Sequence, residues 1–588
     1  MGFLSPDLPT IDVAQWRRIP RSDRIRSMTR HFAEYGFATP AAIHYLQVVR
    51  IGLFIVGGIG FAMATKGIGG LGSIGVWWPE PIVFEKLVLW SLLCGVLGLG
   101  CGFGPLHRRF FPPIGCPRYW LRPGTIRLAP WPDRVPFTKG DTRGPIDLVL
   151  YGLLVAATVS ALVSDGTGPD ASVGTAVGLI PLWKIAAVIG LLALIGLRDK
   201  VLFLAAGGEV YCPLAVALLF PGVDMIVAAK LVMVVMWVGA ATSKLNKHFP
   251  FVLSIMLSNS GVNPRWLKRR FFEDFPDDLR PGHQFRLLAY AATVAESIAP
   301  LVLLFSLEVN PTFGVLPTVA VTVLVLFHLG VLSAMPMGVP LEWNVVMIFG
   351  IFTLFVEKAD IGLGELKHPV PVAILIAVLI GAIVLGNVFP QRIWFLPPAM
   401  RYYAGNGDAA LWCLTKSAQE TIEQNVVTMV DMPQVHIAKH YGKEQAEVLT
   451  YLGYAFRAMN THGRALFTLV NRAIPPGSEA AYTIVDGERI CSTVVGWNFG
   501  DGHLPTEQLI ATLRRRCHFE QGAARIVILD AQPIHRQTQE YRLVDAATGE
   551  FERGVIQVAE LISRQPWADD VPVHVHDAGS NTMQHRRT

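Results

Sequence analysis

The chain has few charged residues for its length. Of its 588 residues, 16% are charged and 52% are hydrophobic, whereas a soluble protein carries about 25% charged residues. The shortage is uneven, because residues 41–389 contain long stretches with almost no charge and residues 390–588 have an ordinary soluble composition. This distribution argues against a fully soluble protein and is typical of a membrane region followed by a soluble domain.

The sequence also lacks the motifs that identify common metal, nucleotide and hydrolase sites. Its seven cysteines are scattered without a CxxC pair, which indicates neither a disulfide framework nor a zinc site. The soluble part has no Walker A or GxGxxG motif, and Gly-x-Ser-x-Gly and His-Glu-x-x-His are absent from the chain. We therefore expect no nucleotide-driven pump, no serine hydrolase or zincin, no metal and no cofactor.

The net charge of +5 is small and comes largely from arginines in loops beside apolar segments. A nucleic-acid-binding surface needs basic residues concentrated on a soluble face, so nucleic acid is not an expected partner. Membrane lipids are the expected partners. Other envelope proteins that dock on the C-terminal domain are the alternative.

Ten apolar segments are candidates for membrane spans, since about 20 mostly apolar residues cross a hydrocarbon core of roughly 30 Å. The ninth is the shortest, and a re-entrant path for it would move the C-terminus to the other side of the membrane. The fold class predicted is therefore a polytopic α-helical membrane protein. The ten segments are 42–64, 82–103, 146–164, 177–197, 201–220, 224–243, 285–307, 313–334, 342–357 and 370–389.

The distribution of lysine and arginine predicts the orientation of these spans. Loops 104–145 and 244–286 are rich in both residues, whereas 165–176 and 308–312 are acidic or nearly neutral. Cytoplasmic loops carry the excess of positive charge. This rule places both termini in the cytoplasm and the protein in the inner, cytoplasmic membrane.

Residues after Pro390 show the patterns of a soluble α+β domain. We divide the chain into a cytoplasmic amphipathic segment (1–40), a transmembrane domain (41–389), a cytoplasmic α+β domain (390–573) and a disordered tail (574–588). Within the α+β domain, helices are predicted at 408–428, 442–461 and 505–516, strands at 481–485, 489–497, 525–530 and 540–544, and a hairpin turn at 544–550.

Ionisable residues inside predicted spans are the strongest functional candidates, because a central charge costs about 2.5–3.5 kcal/mol to insert. Glu209, Glu296 and His328 lie within spans and Lys244 lies at a span end, and we predict these four as catalytic or proton-handling residues. Lys230 is placed to pair with Glu209 across a tight turn. The alternative is that such residues only lock helices together.

A second set of residues is predicted to contact lipid headgroups at the cytoplasmic face. It comprises Lys247, His248, Arg265 and Arg269, which follow the sixth span. Ordinary positive-inside anchoring is the alternative explanation. An irregular segment at 335–344 resembles an interrupted helix, where broken backbone lines protein or a water-filled cavity.

Two resemblances bear on function. The start Gly2-Phe3-Leu4-Ser5-Pro6-Asp7-Leu8-Pro9, the segments 198–208 and 243–251, and Met400-Arg401-Tyr402-Tyr403-Ala404-Gly405-Asn406 resemble a multi-pass transmembrane protein family of unknown function from actinobacteria of the mycobacterial type. That resemblance implies an inner-membrane location. Asp199-Lys200, Glu209, Tyr211 and the span end at 239–244 are similar to the membrane domain of vitamin K-dependent carboxylase-like proteins. That similarity implies a base at Lys244.

These observations predict a membrane protein that serves cell-envelope lipid handling as a transporter-like or scaffold component. One alternative is a membrane-embedded enzyme that acts on a lipid or quinone. The other is an assembly partner that docks proteins through its C-terminal domain. A lipid or cofactor bound in a cavity between spans five to eight would be the most informative observation, whereas a dry, fully packed bundle would favour the scaffold.

Overall fold

The chain folds into a helical part before residue 389 and a mixed helical and sheet part after it. The change of composition near Pro390 therefore coincides with a change of architecture. The structure is a computed structural model, and it is described for residues 2–100, 115–311, 313–334, 341–498, 501–504 and 506–576.

The first part consists of helices and one short hairpin. Its helices are α1 (Val13–Trp16), α2 (Arg21–Tyr35), α3 (Ala41–Met63), α4 (Ile74–Trp77), α5 (Pro81–Val96), α6 (Gly115–Trp120), α7 (Pro145–Leu162), α8 (Leu182–Arg198), α9 (Lys200–Ala205), α10 (Gly208–Ala217), α11 (Val223–Ser243), α12 (Phe249–Asn259), α13 (Arg265–Arg269), α14 (His283–Val309), α15 (Val315–Leu332), α16 (Leu341–Gly350) and α17 (Pro369–Val388). The antiparallel hairpin pairs β1 (Phe272–Asp274) with β2 (Asp278–Pro281).

Within the described residues, six helices are long and apolar enough to cross a membrane. They are α3, α7, α11, α14, α15 and α17. Five of them bury only 17–39% of their most apolar window, as helices that face lipid would. Helix α11 buries 78% of its window and is the central helix of the bundle. The transmembrane prediction is confirmed in this coarser form.

The predicted count of ten spans is not confirmed. Segments 82–103 and 177–197 correspond to α5 and α8, of 16 and 17 residues, and segment 342–357 corresponds to Leu341–Val356, in which α16 continues into a π-helical stretch. Helices of 16 or 17 residues rise about 24–26 Å, less than the roughly 30 Å of a hydrocarbon core. Segment 201–220 is two helices, α9 and α10, which are separated at Gly207, where φ is 69°. Glycine adopts this left-handed conformation without the steric cost that other residues incur.

The second part is built on one antiparallel sheet. Among the described residues its strand order is β4-β3-β5-β6-β7-β8. The strands are β3 (Ala409–Thr415), β4 (Tyr482–Asp486), β5 (Ala524–Leu529), β6 (Thr538–Asp545), β7 (Gly549–Gln557) and β8 (His574–His576). The helices are α18 (Pro397–Ala404), α19 (Lys416–Asn425), α20 (Pro433–Tyr441), α21 (Lys443–Met459), α22 (Thr461–Ala473), α23 (Gly487–Val494), α24 (Thr506–Cys517) and α25 (Val558–Ser563).

Most of the predicted elements of this part are observed, and three predictions were wrong. Residues 409–415 form β3 instead of a helix, because six of the seven are buried and a continuous apolar run does not distinguish a central strand from a helix. Residues 487–494 form α23, which the Asp486 side chain caps, instead of a strand. The predicted disordered tail begins with β8, which pairs with β7. Its remainder, 577–588, lies outside the described residues.

The amphipathic N-terminal segment packs on protein. The buried side chains of α2 include Ile25, Met28 and Phe32, and they join a cluster with residues of α21 such as Leu452. Arg17 and Glu447 form an ion pair with an Nη2–Oε2 distance of 2.7 Å across the same contact. The apolar face of α2 is therefore covered by α21 of the C-terminal part.

Arginines of the loop before α7 form a buried network with acidic residues. The Arg143 Nε and Asp199 Oδ2 atoms are 2.6 Å apart, and both side chains are at most 2% exposed. Asp147 pairs with Arg198 at 2.8 Å and with Arg127 at 3.5 Å. These basic residues supported the predicted orientation, and the structure shows that they also hold the loop against α7–α9.

Candidate functional site

A cavity of about 310 Å³ lies among α5, α10, α11, α14, α15 and α16. This volume falls within the range of ligand pockets, roughly 300–1,000 Å³. Its wall is mostly apolar, with a limited set of polar side chains. Those polar side chains include Ser91, Glu209, Tyr211, Lys244, Glu296, His328, Glu342, Asn344, Tyr402, Tyr403 and His503.

The four residues predicted as catalytic all line this one cavity. They come from four different helices or helix ends, so their proximity depends on tertiary packing. Each is at most 7% exposed. The structure brings the four together, and their chemical role remains a proposal.

Lys244 and Glu296 form an ion pair on the cavity wall. The Lys244 ammonium donates to both carboxylate oxygens of Glu296, at 2.7 and 2.5 Å. Its Nζ atom also lies 5.5 Å from the ring centre of Phe249 and 5.3 Å from that of Phe327, which adds cation–π attraction. Lys244 caps the C-terminal end of α11, where the helix dipole favours a cation.

His328 is held between two neighbours. Its Nε2 is 2.9 Å from the indole Nε1 of Trp237, and its Nδ1 is 2.8 Å from the amide oxygen of Asn344. An indole N–H only donates, so Nε2 accepts and the ring proton resides on Nδ1, which donates to Asn344. Both ring nitrogens therefore already have a hydrogen-bond partner. His328 is therefore better suited to orienting its neighbours than to acting as a base.

Glu209 lies in the first turn of α10 and is 4% exposed. Lys200 and Arg401 are close enough to interact electrostatically with its carboxylate, and the backbone amides of Leu396 and Ala399 approach it. Its Oε1 atom is buried and has no hydrogen-bond partner in the part of the chain that the structure describes.

The predicted pairing of Lys230 with Glu209 was wrong. The Lys230 ammonium donates to the backbone carbonyls of Lys358 and Ile361, at 2.7 and 2.6 Å. The prediction assumed one continuous helix over 201–220. Because the chain breaks at Gly207 instead, Glu209 lies in the first turn of α10 and faces the cavity.

The C-terminal part also supplies residues to the wall of this cavity, some of which the sequence did not reveal. Trp497 and His503 lie on its wall together with Tyr402 and Tyr403 of α18. Lys200 of α9 holds His503 in place against the first part of the chain, since its ammonium donates to the backbone carbonyl of His503 at 2.6 Å. The two tyrosines belong to a segment that carried the family resemblance, whereas nothing in the sequence pointed to His503.

The residues predicted to contact lipid headgroups do not form one group. His248 is fully buried, and its ring hydrogen-bonds to Thr461 and to Gln532, so the headgroup role predicted for it was wrong. Lys247 is exposed. The side chains of Arg265 and Arg269 are 57% and 55% exposed, although each has an acidic partner. Predicted headgroup contact by these three residues remains a proposal.

A smaller cavity of about 40 Å³ adjoins the first and shares Met256, Tyr402 and Tyr403 with it. It has room for a few water molecules. Asp408 lies on its wall in the C-terminal part. Burial raises the pKa of Asp408 from 3.8 to about 7, and the negative charge of Asp530 contributes while Arg401 opposes the shift.

This raised pKa predicts a pH-dependent effect of Asp408→Asn. Well below pH 3.8 the carboxyl is protonated in both the folded and the unfolded protein. As the pH rises to about 7, wild type loses stability because ionisation is easier in the unfolded chain. We expect the variant to gain roughly 2–4 kcal/mol relative to wild type between pH 4 and pH 8.

The measurement is the apparent unfolding temperature of the detergent-solubilised protein as a function of pH. Asp569→Asn is the matched control, since Asp569 is an exposed aspartate of the same part. A constant difference between Asp408→Asn and wild type across this range would contradict the prediction.

Comparison with known proteins locates the chain in one family. No curated protein and no solved structure matches it. The similarity to carboxylase-like proteins therefore has no support beyond the residues that suggested it. A family model described as "Transmembrane protein of unknown function (DUF3556)" matches residues 1–576, nearly the whole chain. The chain belongs to this transmembrane family.

Proposed function

We propose that the protein binds a lipophilic molecule, a membrane lipid or a quinone, inside its helical bundle, as a component of cell-envelope lipid handling. The observation that carries this proposal is the cavity of about 310 Å³ with a mostly apolar wall. A pure scaffold gains nothing from such a space, because an unfilled cavity costs packing energy. Membrane lipids are accordingly the proposed partners.

The proposed location is the inner, cytoplasmic membrane with both termini in the cytoplasm. The basic loops support this orientation. It requires an even number of crossings, as in the predicted ten-span arrangement, and therefore some crossings by helices shorter than the six long ones. Internal helices of that kind are stable when neighbouring protein covers their ends.

A second candidate function is catalysis on the bound lipophile. It is favoured by the Lys244–Glu296 pair, which lines the cavity and holds a transferable proton between an ammonium and a carboxylate. A cavity that excludes bulk water strengthens such electrostatic interactions. In this function Lys244 and Glu296 act as the acid–base pair, and His328 orients Trp237 and Asn344.

The binding proposal predicts that Ala240→Phe abolishes retention of the ligand. Ala240 of α11 lines the cavity, and a phenyl ring there occupies part of the space. We expect the amount of lipophile that co-purifies with the protein to fall by about tenfold or more, the equivalent of at least 1.4 kcal/mol. Native mass spectrometry and solvent extraction of the purified protein measure this amount.

The matched control is Ala156→Phe, the same substitution at an exposed position of α7. This variant should retain as much lipophile as wild type. If both variants retained equal amounts while remaining folded, the cavity would not be the binding site. If wild type itself retained no lipophile, the proposed function would be wrong.

A further inference from the structure

The unpartnered carboxylate oxygen of Glu209 is the feature of the cavity that the fold does not explain. Buried polar atoms are nearly always hydrogen-bonded, and leaving one unpaired costs about as much as a lost hydrogen bond. Glu209 is 4% exposed and lines the cavity. Its Oε1 atom has no partner among the described residues, so it is available to a group inside the cavity.

The backbone beside Glu209 is held in a costly conformation. Leu396, whose amide approaches the carboxylate, has φ at 71° and is fully buried. A non-glycine residue in this region costs about 1–3 kcal/mol, and such strain is concentrated at functional sites. A strained backbone and an unpaired carboxylate oxygen are thus close neighbours.

The charges of the wall limit what can bind there. The ionisable groups that line it in the described part of the chain include three carboxyl groups, those of Glu209, Glu296 and Glu342, and one amine, that of Lys244, which is paired with Glu296. A phosphate or carboxylate at the free oxygen of Glu209 would lie directly against another acidic group in an apolar space, which is unfavourable. Lys200 and Arg401 already lie near Glu209, so its carboxylate does not require a cationic ligand either.

Resting on the proposed function, we propose that the ligand is a lipophilic alcohol whose hydroxyl donates a hydrogen bond to Oε1 of Glu209. The apolar chain of the alcohol occupies the remainder of the cavity, against side chains such as Met236, Trp237 and Trp343. A hydroxyl donor would pair with this acceptor oxygen, so that the buried oxygen no longer lacks a hydrogen-bond partner. The hydroxyl therefore provides both affinity and orientation.

The test compares four compounds that share one fifteen-carbon isoprenoid chain: farnesol, its methyl ether, its monophosphate and farnesylamine. Bound fractions are measured by native mass spectrometry of the full-length protein in detergent. We expect farnesol to bind about 10- to 100-fold more tightly than the ether, which has no donor. The phosphate and the amine should bind more weakly than the alcohol.

Glu209→Leu removes the acceptor and should lower farnesol affinity to that of the ether, without changing the affinity for the ether. Unchanged ether binding shows that the cavity is intact. If Glu209→Leu does not fold, Glu209→Gln is measured instead, and an affinity for farnesol about tenfold below wild type is expected.

Equal binding of alcohol and ether to wild type would overturn this inference, as would tighter binding of the phosphate or the amine. If Ala240→Phe still blocked binding of alcohol and ether alike, the proposed function would stand without the hydroxyl preference. If no compound bound wild type and Ala240→Phe changed nothing, both proposals would be wrong.

Discussion

Glu296→Leu is expected to destabilise the protein by about 3–5 kcal/mol. The substitution leaves the Lys244 ammonium buried without its carboxylate, and removing one partner of a buried ion pair has a cost of this size. The aromatic rings of Phe249 and Phe327 remain near the ammonium but offset only part of the loss. The measurement is the apparent unfolding temperature in detergent, with inactivation half-life as a second readout, since large proteins often unfold irreversibly.

The double variant Lys244→Met with Glu296→Leu distinguishes an uncompensated charge from lost packing. Replacing both partners by apolar residues of similar size is often nearly neutral. We therefore expect the double variant to recover most of the stability that the single variant loses. The control Glu357→Leu alters an exposed carboxylate and should change stability by no more than about 0.5 kcal/mol. A double variant as unstable as the single one would refute the ion-pair explanation.

Asp199→Ala is expected to have the second large effect, a loss of roughly 3–5 kcal/mol. The substitution leaves Arg143 buried and unpaired, because the two side chains are at most 2% exposed and 2.6 Å apart. It also removes the N-terminal cap of α9, where Asp199 accepts from the Val201 amide at 3.1 Å, a contribution of about 1 kcal/mol. The protein should lose yield as well as thermal stability.

The comparison variant for Asp199 is Asp133→Ala, which changes an exposed aspartate of the same loop. Limited proteolysis between residues 121 and 144 provides a local readout beside global unfolding. Cleavage should accelerate in Asp199→Ala and remain at the wild-type rate in Asp133→Ala. Equal cleavage in both variants would show that the Arg143–Asp199 pair does not hold the loop.

The sequence predicted the class of fold, whereas its count of ten membrane spans is not confirmed. Length and apolarity suffice for α3, α7, α11, α14, α15 and α17, since each is one uninterrupted helix. They do not suffice for 201–220, because a hydropathy window averages over the break at Gly207. The prediction of a helix over 409–415 was wrong for a related reason. A strand buried on both faces shows no alternation of polar and apolar residues that would identify it.

Four polar residues of the cavity wall were predictable from the sequence, but their arrangement was not. Because charge is costly to place in a membrane, Glu209, Glu296 and Lys244 could be chosen as candidate site residues without any knowledge of their neighbours. Which of these side chains form pairs depends on which helices pack against each other, and that is decided by the tertiary structure. The same limit explains His503, which lies 303 positions from Lys200, its hydrogen-bond partner, and has no apolar sequence context to mark it.

The contact between α2 and α21 sets an order of events during synthesis. Arg17 and Glu447 are separated by 430 positions, and a ribosome adding about 5–20 residues per second takes roughly 20–90 s to cover that distance. Throughout this interval the part of the apolar face of α2 that α21 covers has no partner within its own chain, although α12 and α13, which also pack on α2, are already synthesised. A nascent chain stalled before residue 443 would therefore present that face to chaperones or to the membrane surface, while a completed chain conceals it.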